Sequence, residues 1–432
     1  MSEIRAIADS FDAILKTKNV EKYTYTLVQS EKQELNIEGT SFKLMRTVFN
    51  NSGSLKVFSG VKMGSVNGNY ITEEGLVKLA DDGIAAAESA DEDPCHDFAP
   101  DQGKEVFRQG VYEPDMDLFF ERTKEFLETV AKEYPKIRIM MGGASFDRWH
   151  WISRNTNGTE FEGIGGQYGF MVEFSAVDGE ITTGMNGCGF ATKDLDTPFI
   201  DMCDVRQQLE DTQNSLYTKS VEGKFEGTVV MTPACVTQFL YMLAGNYMDS
   251  NVIINGTSQW LDKVGEKVAD EKLTVALDPF DERIVSGECG TQDGFRSEAV
   301  TLIDHGVLKT HMLNLYASNK TGRPLIKNTG SDLVVAAGET PLADIIASVD
   351  HGLLMGSFSG GQPGANGEFS GVAKNSFLIE NGKVTDAVME TMVNGNLGDI
   401  FANIRGISKE QLCDGSTVVP HIAFDGIIIS GK

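Results

Sequence analysis

Apolar residues return every third or fourth position over the first part of the chain. Ile4, Ile7, Phe11, Ile14 and Leu15 share one side of a helix. Apolar and β-branched runs at 23–28, 35–37 and 44–49 then read as strands. Helical spacing resumes over 72–87, where Leu76, Leu79, Ala80, Ile84 and Ala87 form a stripe that Thr72 can cap. A third helix is expected over 116–134. Asp115 can accept its first free N–H groups, and Met116, Phe119, Phe120, Leu127, Val130 and Tyr134 face one side. Pro135 ends it, because proline cannot continue the hydrogen-bond ladder.

Strands are expected from 137 to about 190, and a polar stretch at 209–224 sets them off from the rest. From Gly227 onward strand and turn dominate. Asp178-Gly179, Asp304-His305-Gly306 and Asn381-Gly382 each lie between two apolar runs. These residues tolerate the positive φ of tight turns, so each marks a hairpin. The class expected is α+β, with antiparallel or mixed sheets and a C-terminal half that can close into a barrel-like sheet.

Residues 88–104 hold two prolines and six acidic residues: Glu88, Asp91, Glu92, Asp93, Asp97 and Asp101. Such a segment has little to bury and reads as an exposed linker. Three units follow: a small α+β unit at 1–90, a middle α+β unit at 105–222 and a β-rich unit at 225–432.

The chain of 432 residues carries 37 basic and 63 acidic side chains, a net charge of −26. That balance repels phosphate backbones and anionic lipid, so nucleic acid and membrane surfaces are excluded as partners. No run approaches the ~18 apolar residues of a membrane span. The N-terminus has no apolar signal core. None of the six cysteines forms a C-x-x-C pair, which fits scattered reduced thiols and a cytoplasmic location.

Candidate chemistry is sparse. No histidine is followed by glutamate, so a zinc-protease helix of the H-E-x-x-H kind is excluded. His305 and His311 are the only close pair; with Cys413 they form the one alternative metal set, against a reading of no metal and no cofactor. His150, between Trp149 and Trp151, reads as part of a packed aromatic cluster, and His96 as solvated linker. There is no G-x-S-x-G elbow and no phosphate loop. Gly163-Ile164-Gly165-Gly166 reads as a β-turn. Residues 356–371 hold six glycines in 16 positions, a loop whose free N–H groups could hold a peptide or an anion. One further helix begins at Thr232-Pro233, a capping residue followed by proline at the first helical position. Val236, Phe239, Leu240, Leu243 and Tyr247 are its buried stripe.

At this helix the sequence resembles the TldD/PmbA family, often labelled modulators of DNA gyrase and related to metallopeptidases. The strand-Thr-Pro-helix at 229–248, VLKTHMLNLYASNKTG at 307–322, IKNTGSDLVVAAG at 326–338, GEFSGVAKNSFLIENGKVTD at 367–386, GNLGDIFANIRGIS at 395–408 and VVPHIAFDGIIISG at 418–431 carry the resemblance. In the family's catalytic branch this helix bears H-E-x-x-x-H, with a cysteine near the C-terminus as a further ligand. Here those positions hold Tyr241, Met242 and Asn246, and Cys413 falls near the cysteine. Tyr and Asn are poor zinc ligands beside imidazole, and Met cannot act as a general base.

The resemblance therefore implies the PmbA (TldE) branch: a non-catalytic or accessory subunit of a cytoplasmic metallopeptidase that acts on unfolded peptides. It implies a homodimer, or a heterodimer with a metal-bearing TldD-like subunit, around a peptide-accepting chamber. Tyr241, Asn246, Gly360 and Gly361 are the candidate lining residues. The alternatives are a metallopeptidase with a relocated metal site, and a peptide-binding or gyrase-modulating protein without proteolysis.

Overall fold

A computed structural model describes residues 3–389 and 391–431. The class is α+β, as expected. In chain order the first half contains α1 (Glu3–Thr17), β1 (Lys22–Glu38), β2 (Ser41–Ser59), β3 (Lys62–Gly68), α2 (Glu73–Ser89), β4 (Lys104–Gly110), α3 (Met116–Glu133), β5 (Ile137–Asn155), β6 (Glu160–Asp178), β7 (Ile181–Thr182), β8 (Asn186–Thr192) and α4 (Val205–Asn214). The patterned helices form where expected. Thr72 caps α2 through the Gly75 N–H, and Asp115 caps α3 through the Leu118 N–H.

One eight-stranded sheet runs in the order β3-β2-β1-β5-β6-β4, with β7 and β8 also paired to β6. Strands before and after the segment 88–104 share this sheet, since β1 pairs with β5 from Thr24 to Ile37. The runs at 23–28 and 35–37 are one strand. The polar residues between them pair across the ladder instead of breaking it: Glu31 meets Arg148 and Glu34 meets Arg46. The polar stretch at 209–224 begins within α4. Only Val205, Leu209 and Thr212 of that helix are buried, too few to mark it by periodicity.

The acidic segment at 88–104 is largely exposed, as expected, but it is anchored at several points. Phe98 and Ala99 are buried, and the His96 ring stacks on Tyr316 with centroids 4.6 Å apart. Asp93 accepts from the Tyr316 hydroxyl and from Lys320, each at 2.9 Å. These partners stand on the short helix Leu315–Thr321 of the C-terminal half.

Side chains alternate faces along each strand. Tyr25, Leu27 and Leu35 of β1, with Ala144, Phe146 and Ile152 of β5, enter the cores beneath α1, α2 and α3. The opposite face carries Thr26, Val28, Trp149, Trp151, Ser153 and Phe161, and looks toward residues 286–294.

The second half opens with β9 (Lys224–Met231) and α5 (Pro233–Tyr247). Its thirteen-stranded sheet curls into a half-barrel. The strand Val418–Ser430 is the hub: it pairs with β9, with Ile404–Cys413 and with Thr391–Asn396. All three expected hairpins form. His305-Gly306 and Asn381-Gly382 both take positive φ at their two turn positions, the left-handed geometry such turns need. Backbone bonds join the halves, from Ala99 N–H to the Asp293 carbonyl and from Ala191 N–H to the Asp414 carbonyl. The Arg296 guanidinium grips both oxygens of Glu105. No helix among the described residues is long and apolar enough to cross a membrane.

Candidate functional site

The strand β9 delivers the chain to α5 at Thr232. The hydroxyl of Thr232 accepts the Cys235 N–H and donates to the Gly356 carbonyl at 2.8 Å. One side chain thus caps the helix and fastens it to the glycine-rich segment. Val236, Phe239, Leu240, Leu243 and Tyr247 enter the C-terminal core as the spacing predicts. The remaining face is open: Tyr241 is 45% exposed, and a Cβ placed on Gly245 would meet nothing within 4 Å.

Tyr241 and Asn246 lie on and beside this open face. Partial burial, with the Asp332 and Asp414 carboxylates nearby, raises the Tyr241 hydroxyl above its ordinary pKa. Asn246 is half-buried, and its Nδ2 has no hydrogen-bond acceptor among the described residues. Met242, between them in sequence, is buried in the core. Met242 therefore presents no group to the open face.

The glycine-rich segment is not a long loop. It folds as a hairpin of Ser357–Gly360 and Glu368–Lys374, with Gly360 opposite Gly371. Both glycines make room for the Phe358 ring, which a Cβ at either would meet at about 2.5 Å or less. Gly360 therefore serves packing, whereas Gly361 is exposed with open space around it. Gly367 has a φ of +86°, and its missing Cβ leaves space for the Tyr247 hydroxyl. The hairpin thus rests on the last turn of α5.

The alternative metal set does not assemble. His305 is exposed in its turn, with Nδ1 3.3 Å from the Glu271 carbonyl oxygen. His311 is buried with Nε2 on the Trp260 carbonyl. The Cys413 thiol donates to the Arg283 carbonyl, and burial raises its pKa. Each group has its own separate partner. Among the described residues no three His, Cys, Asp or Glu side chains are placed to hold a metal ion.

A second feature was not legible in the glycine count. Gly163-Ile164-Gly165-Gly166 is not a turn; it lies within β6. A Cβ on Gly163 would stand 2.1 Å from the Trp151 indole, and one on Gly165 2.6 Å from that of Trp149. The glycines exist so that both indoles can lie across the strand. Trp149 pairs with Gly165 and Trp151 with Gly163 in the ladder. His150 is not part of that cluster. The pleat turns it to the opposite face, where its Nε2 meets Glu162 at 2.6 Å. The signal available in sequence was Trp-x-Trp against Gly-x-Gly, both at the period of a strand.

These indoles floor a cleft of about 650 Å³ whose far wall is residues 286–294. Asp147, Gln109, Gln167 and Glu288 are among its polar groups. Asp332 links the cleft to α5. Its Oδ2 accepts the Glu288 N–H at 2.9 Å, and its charge reaches Tyr241.

Comparison with known proteins places these features in context. Residues 223–431 match the family model described as the PmbA/TldA metallopeptidase C-terminal domain. A metalloprotease of Methanocaldococcus jannaschii is 24% identical over 208 residues, 44% of this chain and 44% of that protein. The chain thus matches less than half of that relative. An uncharacterised protein of the same organism is 22% identical over 428 residues, 93% of this chain and 95% of the other. The crystal structure of TldE from Thermococcus kodakarensis superposes with a TM-score of 0.83 at 18% identity, covering 98% of this chain and 100% of that one, which is a likeness of fold.

Proposed function

The chain belongs to the TldD/PmbA family, and from that premise we propose that it is an accessory, non-catalytic subunit of a TldD/PmbA-type metallopeptidase. Its work is to hold unfolded peptide in extended form beside a metal-bearing subunit, in the cytoplasm.

The observation that carries this reading is the chemistry of α5. By the family resemblance Tyr241, Met242 and Asn246 fall at the three positions of the catalytic motif, and Met242 is turned into the core. A metallopeptidase needs imidazole or carboxylate ligands to activate water, and a base to take its proton. Neither function is available here. What remains is a surface: an exposed tyrosine, an open backbone at Gly245, and a hairpin docked across the helix end. Extended peptides bind surfaces of this sort through backbone hydrogen bonds and side-chain pockets.

The test is elemental analysis of the purified protein beside a peptidase assay on an unstructured peptide. The reading expects far less than one metal per chain and no cleavage alone. It also expects a metal-bearing family member to be recovered in a pulldown and to restore cleavage. Near one metal per chain, with chelator-sensitive cleavage by this protein alone, overturns it.

A further inference from the structure

We propose that the cleft between the β1-β5-β6-β4 face and residues 286–294 receives the guanidinium-bearing side chain of an extended peptide. This deepens the peptide-holding reading above and rests on it.

The floor of the cleft is built, not left over. Trp149 and Trp151 lie flat because Gly165 and Gly163 offer no Cβ. Both indoles are half-buried, so each keeps part of its surface toward the cleft. Phe107 stacks on Trp151 with centroids 6.2 Å apart, and this holds the ring in place. A rigid indole surface in a partly closed cleft attracts a cation through its π face.

The charge of the lining points the same way. Asp147 and Glu288 line the cleft, and no lysine or arginine does. Asp147 is held by the Ser145 hydroxyl at 2.8 Å and has Lys32 at 3.9 Å. Glu288 is exposed, and its carboxylate has no ion-pair partner among the described residues. Its backbone is pinned by Asp332, so the carboxylate is presented from a fixed point. The nearby cations Arg296 and Lys56 are engaged elsewhere, with Glu105 and Asp293. A planar cation that stacks on indole and accepts a carboxylate on its edge is a guanidinium. An ammonium is more strongly hydrated and cannot stack. Gln109 and Gln167 are held by hydrogen bonds to Gly287 and Ser286, which tie the strand face to the far wall of the cleft.

The experiment uses the intact protein and two fluorescent, unstructured decapeptides that differ only at one position, arginine in one and citrulline in the other. Citrulline keeps the shape and removes the charge. Anisotropy at physiological salt should show the arginine peptide binding about five- to tenfold more tightly. Glu288→Gln should erase that preference, whereas Glu222→Gln, an exposed acid outside the cleft, should leave it. Equal binding of the two peptides overturns the guanidinium site while leaving the peptide-holding reading intact. Equal weakening by both substitutions also overturns it, because general charge then explains the preference. Absence of binding by either peptide overturns both.

Discussion

The carboxylate of Asp332, a residue held at a φ of 60°, accepts the backbone N–H of Glu288 at 2.9 Å. This bond connects the aromatic cleft to the open face of α5. Asp332 is 7% exposed, and burial raises its carboxyl above the ordinary range. Asp332→Ala removes the acceptor and places alanine in left-handed backbone. It should cost about 2–3 kcal/mol in urea denaturation. Asp332→Asn keeps both the acceptor and tolerance of positive φ, so it should cost clearly less. Equal costs would mean that the bond to Glu288 does not hold the loop.

Gly163→Ala tests the indole floor. The new Cβ would meet Trp151 at 2.1 Å, with the Phe107 ring 6.2 Å from that indole, centroid to centroid. Overpacking of this kind costs about 1–3 kcal/mol. The expected result is a lower urea midpoint with a shifted tryptophan emission. An unchanged midpoint would show that Trp151 is free to move.

Thr232→Ala tests the fastening of α5. It removes the cap on the Cys235 N–H and the bond to the Gly356 carbonyl. Loss of a cap costs about 1 kcal/mol, and the second bond should bring the total to about 2 kcal/mol. Thr232→Ser restores both bonds and should recover most of it. If serine behaves like alanine, the hydroxyl is not what matters.

Asp211 and His421 line a second cavity, beside the N-terminus of α5, and predict opposite pH effects. Burial, with Glu210 and Asp204 nearby, raises Asp211 from 3.8 to about 6. Its ionisation therefore opposes folding: stability is lost as pH rises from 3.8 through about 6. Asp211→Asn should be more stable than the parent at pH 7, and the gain should vanish below pH 3.8. Burial lowers His421 from 6.5 to about 4. That stability is present above pH 6.5 and is lost as pH falls toward 4. His421→Gln should flatten the acid limb between those values. Chemical denaturation at a series of pH values reads both, and a parent-like pH profile in either variant would refute that assignment.

The sequence by itself determined the local elements. Periodicity and caps placed α1, α2, α3 and α5, because a helix must bury one stripe and satisfy its first N–H groups close by in the chain. Positive-φ residues placed the three hairpins for an equally local reason. That Tyr241, Met242 and Asn246 offer neither imidazole nor carboxylate was legible because ligand chemistry belongs to residue type. Tertiary structure decided the rest. The polar middle of β1 is a strand only because β2 and β5 flank it on both sides. The glycines of β6 are floor and not turn only because Trp149 and Trp151 lie across them. The acidic segment is anchored by Tyr316 and Lys320, more than two hundred positions away. Glu288 and Asp332 gained significance in the same way. Long-range contacts leave no periodic mark in sequence, since what a residue meets across the fold is set by the whole chain.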